Sequence, residues 1–177
     1  MKVFGESRPP VKIDFLWAPW RLDYVKGKRP EGCPFCQVPK EVPSEANLVL
    51  FKDDEIFVVM NKYPYNPGHL LVLPRAHESD PGQLDPKIWL KCASAQRLCM
   101  QILTEVLKPR AFNLGMNVGA TAGAGIPQHL HWHVLPRWDG DTNFMPLLAD
   151  TKALPTHNGR IYAELNPQFV GFASRLV

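Results

Sequence analysis

The sequence lacks a long apolar run, a strong excess of charge and a dense set of cysteines, and each shortage excludes a class of protein. No window approaches the roughly 18 apolar residues that span a bilayer, and the first residues contain no secretory apolar core. A net charge of +3 suits an anionic small molecule but is too small to argue for DNA or RNA. Four cysteines in 177 residues fit reduced thiols or metal ligands better than a disulfide framework. We therefore expect a cytoplasmic protein that binds neither nucleic acid nor membrane.

The pattern of apolar residues predicts one α+β domain, for which 177 residues are enough to build a substantial core. A long helix should begin after Asp85, which reads as an N-cap followed by Pro86, and end before Pro109. A short helix is expected near the C-terminus. Strands are predicted at 47–53, 55–61, 69–75, 111–119 and 129–137, with Asp53 and Asp54 making the turn of a hairpin. Residues 1–30 should form an arm, 31–145 the core and 146–177 a C-terminal extension.

Three of the six histidines occupy alternate positions, at His129, His131 and His133. Successive side chains on a strand point to opposite faces, so the three imidazoles should share one face, and the apolar residues between them should form a buried stripe. Neighbouring imidazoles cannot all be protonated without repulsion, and neutral rings can serve as ligands, bases or nucleophiles. The row therefore predicts either a metal site or a nucleophile that attacks phosphorus.

The loop before the histidine row favours phosphorus chemistry. It contains the amide side chain of Asn117 and three glycines, Gly119, Gly123 and Gly125. Glycines let the backbone present several N–H groups to an anion. Because this loop leads directly into the histidines, we interpret it as a phosphate cradle beside a nucleophile.

The segment from His129 to Leu135 resembles the signature of the histidine-triad (HIT) superfamily, His-x-His-x-His followed by two hydrophobic positions. The block 66–77 and the Cys33-Pro-Phe-Cys36 motif are similar to the same superfamily, and the resemblance covers roughly residues 33–137. "WAPWR" near the N-terminus and "PRWDGDTNFMP" after the triad resemble its bacterial diadenosine tetraphosphate phosphorylase-like branch. The resemblance implies a HIT-like fold, an antiparallel sheet of about five strands with one long helix and a short C-terminal helix.

The resemblance also implies a division of roles within the site. His131 aligns with the nucleophile that forms a covalent nucleotidyl-histidine at the α-phosphorus, and His133 with a contact to the α-phosphate or the leaving oxygen. Asn117 aligns with an amide that hydrogen-bonds near the transferred phosphate, and His129 with the anchor of the row. The implied nucleotide-binding residues are Asn61 for the ribose, Phe57 and Val59 for the adenine, and Gly123, Gly125 and Gln128 for the phosphoryl oxygens.

One departure from the family concerns the phosphate loop. The spacing from Asn117 to His129 is one residue longer than in common relatives. Pro127 and Gln128 stand where many relatives have serine or threonine followed by a small or apolar residue. The side chain that contacts phosphate from this loop is therefore left open.

Cys33 and Cys36 have the two-residue spacing of a zinc knuckle, which supplies only half of a tetrahedral site. The resemblance implies that His77 and His129 complete a structural zinc site, and a metal-free pair of thiols is the alternative. No organic cofactor is expected.

The implied reaction is phosphorolysis of a dinucleoside polyphosphate, with diadenosine tetraphosphate (Ap4A) and inorganic phosphate giving ADP and ATP. The resemblance also implies a homodimer. A dinucleoside polyphosphate hydrolase and a nucleoside phosphoramidase are alternatives with the same fold. A zinc-dependent hydrolase and a non-catalytic nucleotide-binding protein are alternatives of other classes.

Overall fold

The structure, a computed structural model, describes residues 32–141, 154 and 156–176. These residues belong to one compact unit made of Pro30–Asp141 and Leu154–Val177. The predicted N-terminal arm and its "WAPWR" motif lie outside the described residues, and the predicted segment boundaries stay predictions. In the described part of the chain, no helix is long and apolar enough to cross a membrane.

Five antiparallel strands form one sheet in the order β1-β2-β3-β5-β4. The hairpin between β1 and β2 is confirmed, because the Asp53 carboxylate accepts the backbone N–H groups of Glu55 and Ile56 at 2.9 and 2.8 Å. Strand β5, which follows the phosphate loop, lies between β3 and β4, so it is held on both sides. The strands are β1 Val49–Lys52, β2 Ile56–Met60, β3 Leu70–Pro74, β4 Ala111–Gly115 and β5 Trp132–Arg137.

Within the described residues, three α-helices accompany the sheet: α1 Pro34–Gln37, α2 Pro86–Leu107 and α3 Asn158–Leu165. The predicted start of α2 is confirmed, since the Asp85 side chain accepts the Lys87 N–H at 2.8 Å. The helix ends at Leu107, and its C-cap Lys108, with a left-handed φ of 50°, directly precedes Pro109. The short 3₁₀ segments are Val38–Lys40, Ala120–Ala122, Asn166–Phe169 and Ala173–Arg175.

The two faces of the sheet have different partners. Helix α2 and the C-terminal segments cover one face, and the predicted stripe of Leu130, Trp132 and Val134 is buried there. The opposite face carries a smaller apolar cluster of Val49, Phe57, Val59, Leu71 and Leu73, packed against Phe35 and Val38 of the cysteine-containing segment. The side chains that alternate with the buried stripe therefore belong to the second face.

The strand that carries the triad is shorter than predicted. It begins at Trp132, so only His133 lies within β5, and His129, in a bend, and His131 precede the strand. The reason is the hydrogen-bond partner, because the Leu130 N–H donates to the Glu78 carbonyl in a loop at 2.7 Å. Strand β4 likewise ends at Gly115 rather than at residue 119.

Candidate active site

Two cysteines and two histidines come together at one end of the histidine row. The ligand atoms of Cys33, Cys36, His77 and His129 all lie within 4.8 Å of one another. The Sγ-to-Nδ1 distances are 3.5 Å for Cys33 to His129, 3.6 Å for Cys36 to His129 and 3.2 Å for Cys36 to His77. Tetrahedral zinc with ordinary bond lengths separates sulfur and nitrogen ligands by about 3.5 Å. The four predicted ligands therefore fit zinc in both chemistry and spacing.

The tautomer of His129 also suits a metal ligand. Its Nε2 lies 2.9 Å from the carbonyl oxygen of Pro74, so Nε2 carries the proton and donates it. Nδ1, which faces the two cysteines, then holds the lone pair. Histidines that ligate a metal usually donate their other ring N–H to a backbone carbonyl or a carboxylate. The contact of His129 with Pro74 is of this kind.

The short helix α1 places the cysteine pair against the triad. Cys33 is its N-cap, and the Cys36 N–H donates to the Cys33 carbonyl at 3.1 Å. Phe35, between the two cysteines, lies with its ring centroid 5.6 Å from that of His129 and 5.2 Å from that of His131. The segment that would hold a metal thus also supplies an aromatic contact to the central histidine, and the sequence pattern did not predict this contact.

His131 is buried, with 5% of its surface exposed, and its backbone neighbour fixes its tautomer. Its Nδ1 lies 2.8 Å from the carbonyl oxygen of His129, so Nδ1 is protonated and donates. Burial lowers the pKa of His131, although the bond to that carbonyl acts in the opposite direction. The Nε2 atom of a neutral His131 therefore carries a lone pair that can attack an electrophile.

His133 is held by a fourth histidine, His69, which is completely buried. His69 Nε2 and His133 Nδ1 are 2.8 Å apart. The backbone N–H of Tyr65 donates to His69 Nδ1 at 3.2 Å, so the proton of a neutral His69 is on Nε2 and is donated to His133. Neutral His133 must then carry its own proton on Nε2.

The Nε2–H group of His133 is a donor without an acceptor. This buried atom has no hydrogen-bond partner among the residues that the structure describes. Burial, followed by the charge of neighbouring histidines, lowers the pKa of His133 to about 4 and that of His69 to about 3. Both rings are therefore neutral at pH 7. Since the ring centroids of His131 and His133 are 5.2 Å apart, the ring with the lone pair and the ring with the free donor are neighbours.

Residues 42–140 match the family profile described as the HIT domain, which covers more than half of the chain. The chain belongs to the HIT domain family. This confirms the resemblance of the triad and of the surrounding blocks.

Individual relatives agree with this membership. The HIT chain is 32% identical over 153 residues to a protein of Mycobacterium tuberculosis named AP-4-A phosphorylase, covering 81% of this chain and 78% of that one. It is 30% identical over 110 residues to an adenylylsulfatase of Arabidopsis thaliana, covering 62% and 54%.

Solved structures confirm the expected HIT fold. A Zn-bound histidine triad family protein from Mycobacterium smegmatis aligns with a TM-score of 0.61 and 24% identity, over 81% of this chain and 96% of that one. A hypothetical histidine triad nucleotide-binding protein from Sulfolobus tokodaii aligns with a TM-score of 0.62 and 23% identity, over 79% and 93%.

Most residues of the phosphate loop are exposed to solvent. Gly119 and Gly123 have φ values of 84° and 88°, which are left-handed conformations that favour glycine. Gly125 and Gln128 are exposed. Asn117 lines a cavity together with His133.

The predicted nucleotide-binding residues in and just after β2 occupy two different environments. Phe57 is fully buried and Val59 nearly so, both beneath Phe35, and Phe57 therefore supports the surface rather than lining it. Asn61 lies against the fourth histidine, with its Nδ2 at 3.3 Å from His69 Nδ1. Its Oδ1 accepts the Tyr63 N–H at 2.9 Å.

A carboxylate ties the turn before His69 to the end of β5. Asp141 accepts from Arg137 through Nε and Nη2 at 2.7 and 2.8 Å, and from Asn66 Nδ2 at 2.7 Å. Asn66 is buried and also donates to the Pro136 carbonyl at 2.9 Å. This network fixes the segment that places His69 beside His133.

Proposed function

We propose that this HIT protein is a nucleotidyl transferase that acts on the α-phosphate of dinucleoside polyphosphates through a covalent nucleotidyl-His131. The observation that carries the proposal is the pair of complementary nitrogens, the Nε2 lone pair of His131 beside the Nε2–H of His133. The preferred substrates are Ap4A and inorganic phosphate. The 32% identity to a protein named AP-4-A phosphorylase supports that choice.

In the first step, His131 Nε2 forms a bond to the α-phosphorus while the bond from that phosphorus to the bridging oxygen breaks. ATP leaves with the electron pair of the broken bond. The Nε2–H of His133 donates to the phosphoryl or leaving oxygen, and Asn117 donates from the same side. Donors fixed in advance of the reaction stabilise the charge that develops on oxygen. The backbone of the loop at Gly123, Gly125 and Gln128 offers further donors.

In the second step, an oxygen of inorganic phosphate attacks the same phosphorus, and the bond from phosphorus to His131 Nε2 breaks. The electron pair returns to Nε2 and ADP is released. Dividing one displacement into two is the general advantage of covalent catalysis. Water in place of phosphate gives AMP, which is the hydrolase alternative, and an amine leaving group gives the phosphoramidase alternative.

We also propose that Cys33, Cys36, His77 and His129 hold a structural zinc ion. Four protein ligands complete a tetrahedron and leave no open position for substrate, as in structural rather than catalytic sites. His131 and His133 do not belong to this set. The arrangement therefore favours the covalent mechanism over a zinc-dependent hydrolase, and a bound ion would fasten α1 to the chain that carries the nucleophile.

The open edge of the sheet supports the expected homodimer. Strand β4 has a strand neighbour on one side only within residues 32–141. Leu114 and Val118, in and just after this strand, are exposed. An exposed strand edge with apolar side chains is unusual unless it is covered. We propose that a second copy of the chain covers it, and a monomeric mass in light scattering would contradict this.

The function is tested by incubating the purified protein with Ap4A in the presence and absence of phosphate and separating the nucleotides. We expect ADP and ATP with phosphate, and near-complete loss of turnover in His131→Ala. His157→Ala is the control, because His157 is an exposed histidine outside the site. The same products with and without phosphate would contradict phosphorolysis. Retained activity in folded His131→Ala would contradict the covalent mechanism.

A further inference from the structure

A cavity lies at the end of the histidine row opposite the cysteine pair. Its volume is about 250 Å³, and His133, Asn117 and Tyr65 line it. Phe35 covers His129 and His131 at the other end of the row. The triad therefore separates an aromatic cover on one side from an open volume on the other.

The cavity extends away from the nucleophile over the edge of the sheet. His133 and Leu135 share a face of β5, and β4 pairs Gly115 with His133 and Asn113 with Leu135. Leu135 is four residues after His131 along the chain, a distance of roughly 13 Å at the rise of a strand. A group in the outer part of the cavity would thus be separated from the attacked phosphorus by a space that a chain of several phosphates can cross.

The lining of the cavity suits a flat apolar group better than a phosphate. Leu135, on the same face as His133, contributes aliphatic surface to the cavity, and Gly115 contributes backbone without a side chain. An anion placed against such surface loses its hydration without compensation. Asn113 also lines the cavity, and its Oδ1 accepts from Arg137 Nη1 at 2.6 Å, which leaves its amide NH₂ as a donor for an occupant.

Tyr65 provides an aromatic surface held in a fixed position. Its ring is stacked on that of His133 at 6.0 Å and 15°, and packs on His69 at 4.9 Å. Its backbone N–H bonds His69, so the residue is attached to the histidine pair. Its side chain is nevertheless 53% exposed. A fixed, accessible aromatic ring is the feature on which nucleobases stack.

We propose that this cavity is the subsite for the second nucleoside of a dinucleoside polyphosphate, with its base stacked on Tyr65. This assignment rests on the proposed function, in which the other nucleotide is transferred to His131. It predicts that the protein binds substrates with a nucleoside at both ends of the phosphate chain more tightly than substrates with a nucleoside at one end.

The test compares Ap4A with adenosine 5′-tetraphosphate, which has the same number of phosphates and no second nucleoside. Tyr65→Leu removes the ring and keeps the backbone N–H that bonds His69. We expect it to raise KM and Kd for Ap4A about tenfold more than the same constants for adenosine tetraphosphate, because only Ap4A places a second base against the ring. Tyr65→Phe should behave like the wild type. Tyr63→Leu is the matched control, because Tyr63 is 49% exposed and does not line the cavity.

The outcomes separate the subsite from the function on which it rests. Equal effects of Tyr65→Leu on the two substrates, or no effect on Ap4A, would overturn the subsite while turnover by the wild type upholds the function. If the wild type turned over neither nucleotide, the proposed function would fail. In that case Kd still decides, because a loss of Ap4A affinity confined to Tyr65→Leu supports the subsite and unchanged affinity rejects it.

Discussion

Replacing His69 with leucine should impair catalysis without disturbing substrate binding. The Nε2–H of His69 is the donor that keeps the proton of His133 on Nε2, where the proposed mechanism needs it. Leucine is apolar and of comparable size, so it fills the buried site while removing the donor. Without that donor, His133 can place its proton on Nδ1 and leave Nε2 as an acceptor, which repels phosphoryl oxygens.

The magnitude follows from the role of one oriented donor. Removing such a donor from a site of developing negative charge costs about 10²–10³ in kcat. In His69→Leu the correct tautomer of His133 remains accessible for part of the time, so the loss should be smaller. We expect kcat to fall about 10- to 100-fold, which corresponds to about 1.4–2.7 kcal/mol of transition-state stabilisation. KM should change little, because the interaction is made in the transition state.

The assay is steady-state phosphorolysis of Ap4A by wild type, His69→Leu and His69→Gln. Glutamine offers an NH₂ donor on a chain of similar length, so it should restore most of kcat. Circular dichroism and thermal unfolding report whether each variant is folded, and His157→Leu controls for loss of an exposed histidine. A rise in KM at unchanged kcat, or equal losses with leucine and glutamine in folded protein, would refute the assignment of the protons to Nε2 of both His69 and His133.

Two further predictions concern the metal site and the buried histidines. Protein purified without chelator should contain about one zinc ion per chain by mass spectrometry of the metal, and Cys36→Ser or His77→Ala should lose it; zinc near zero in the wild type contradicts the site. The pKa of His69 is lowered to about 3 in the folded protein. Below pH 6.5, His69 therefore binds a proton in the unfolded chain but not in the native state. The free energy of unfolding should therefore fall as pH decreases from 6.5 towards 3, by about 2 kcal/mol at pH 5 for this residue. Denaturant unfolding at pH 7 and pH 5 should show a fall in the free energy of unfolding that is about 2 kcal/mol larger in the wild type than in His69→Leu, in which the other buried histidines still titrate; equal pH dependence in both would contradict it.

The elements that the sequence predicted correctly are those with local signals. The turn after β1 depends on Asp53, and the start of α2 depends on Asp85 followed by proline, each acting on backbone groups two or three residues away. The start of β5 was wrong by three residues because its limit is set at a distance. Alternation of apolar and polar residues does not distinguish a strand from extended chain whose N–H, as at Leu130, bonds a loop.

Site residues were likewise predicted where a sequence pattern marks them, and missed where only a contact with a distant part of the chain does. Among the four candidate metal ligands, the cysteines were predicted from their spacing and the histidines through the family resemblance. The four side chains meet although Cys33 and His129 are 96 residues apart. His69 was not identified, because its partner His133 is 64 residues away and no spacing in the sequence connects them. Phe35 was missed because its contact with His131 depends on how α1 packs against the sheet. The position of His69 directly before a buried apolar strand was the one sequence feature that could have identified it.

The alternate spacing of the triad does not by itself make the three histidines chemically different. Each ring has one nitrogen fixed by a different neighbour: the Pro74 carbonyl for His129, the His129 carbonyl for His131, and His69 for His133. Two of these neighbours accept a hydrogen bond and the third donates one. The remaining nitrogen therefore carries a lone pair in His129 and in His131, and a proton in His133. The lone pair of His129 faces the cysteines, and that of His131 belongs to the ring next to His133. The three proposed roles, metal ligand, nucleophile and hydrogen-bond donor, therefore arise from three identical side chains because of the groups behind them, and exchanging any one of those groups should change the chemistry of its histidine alone.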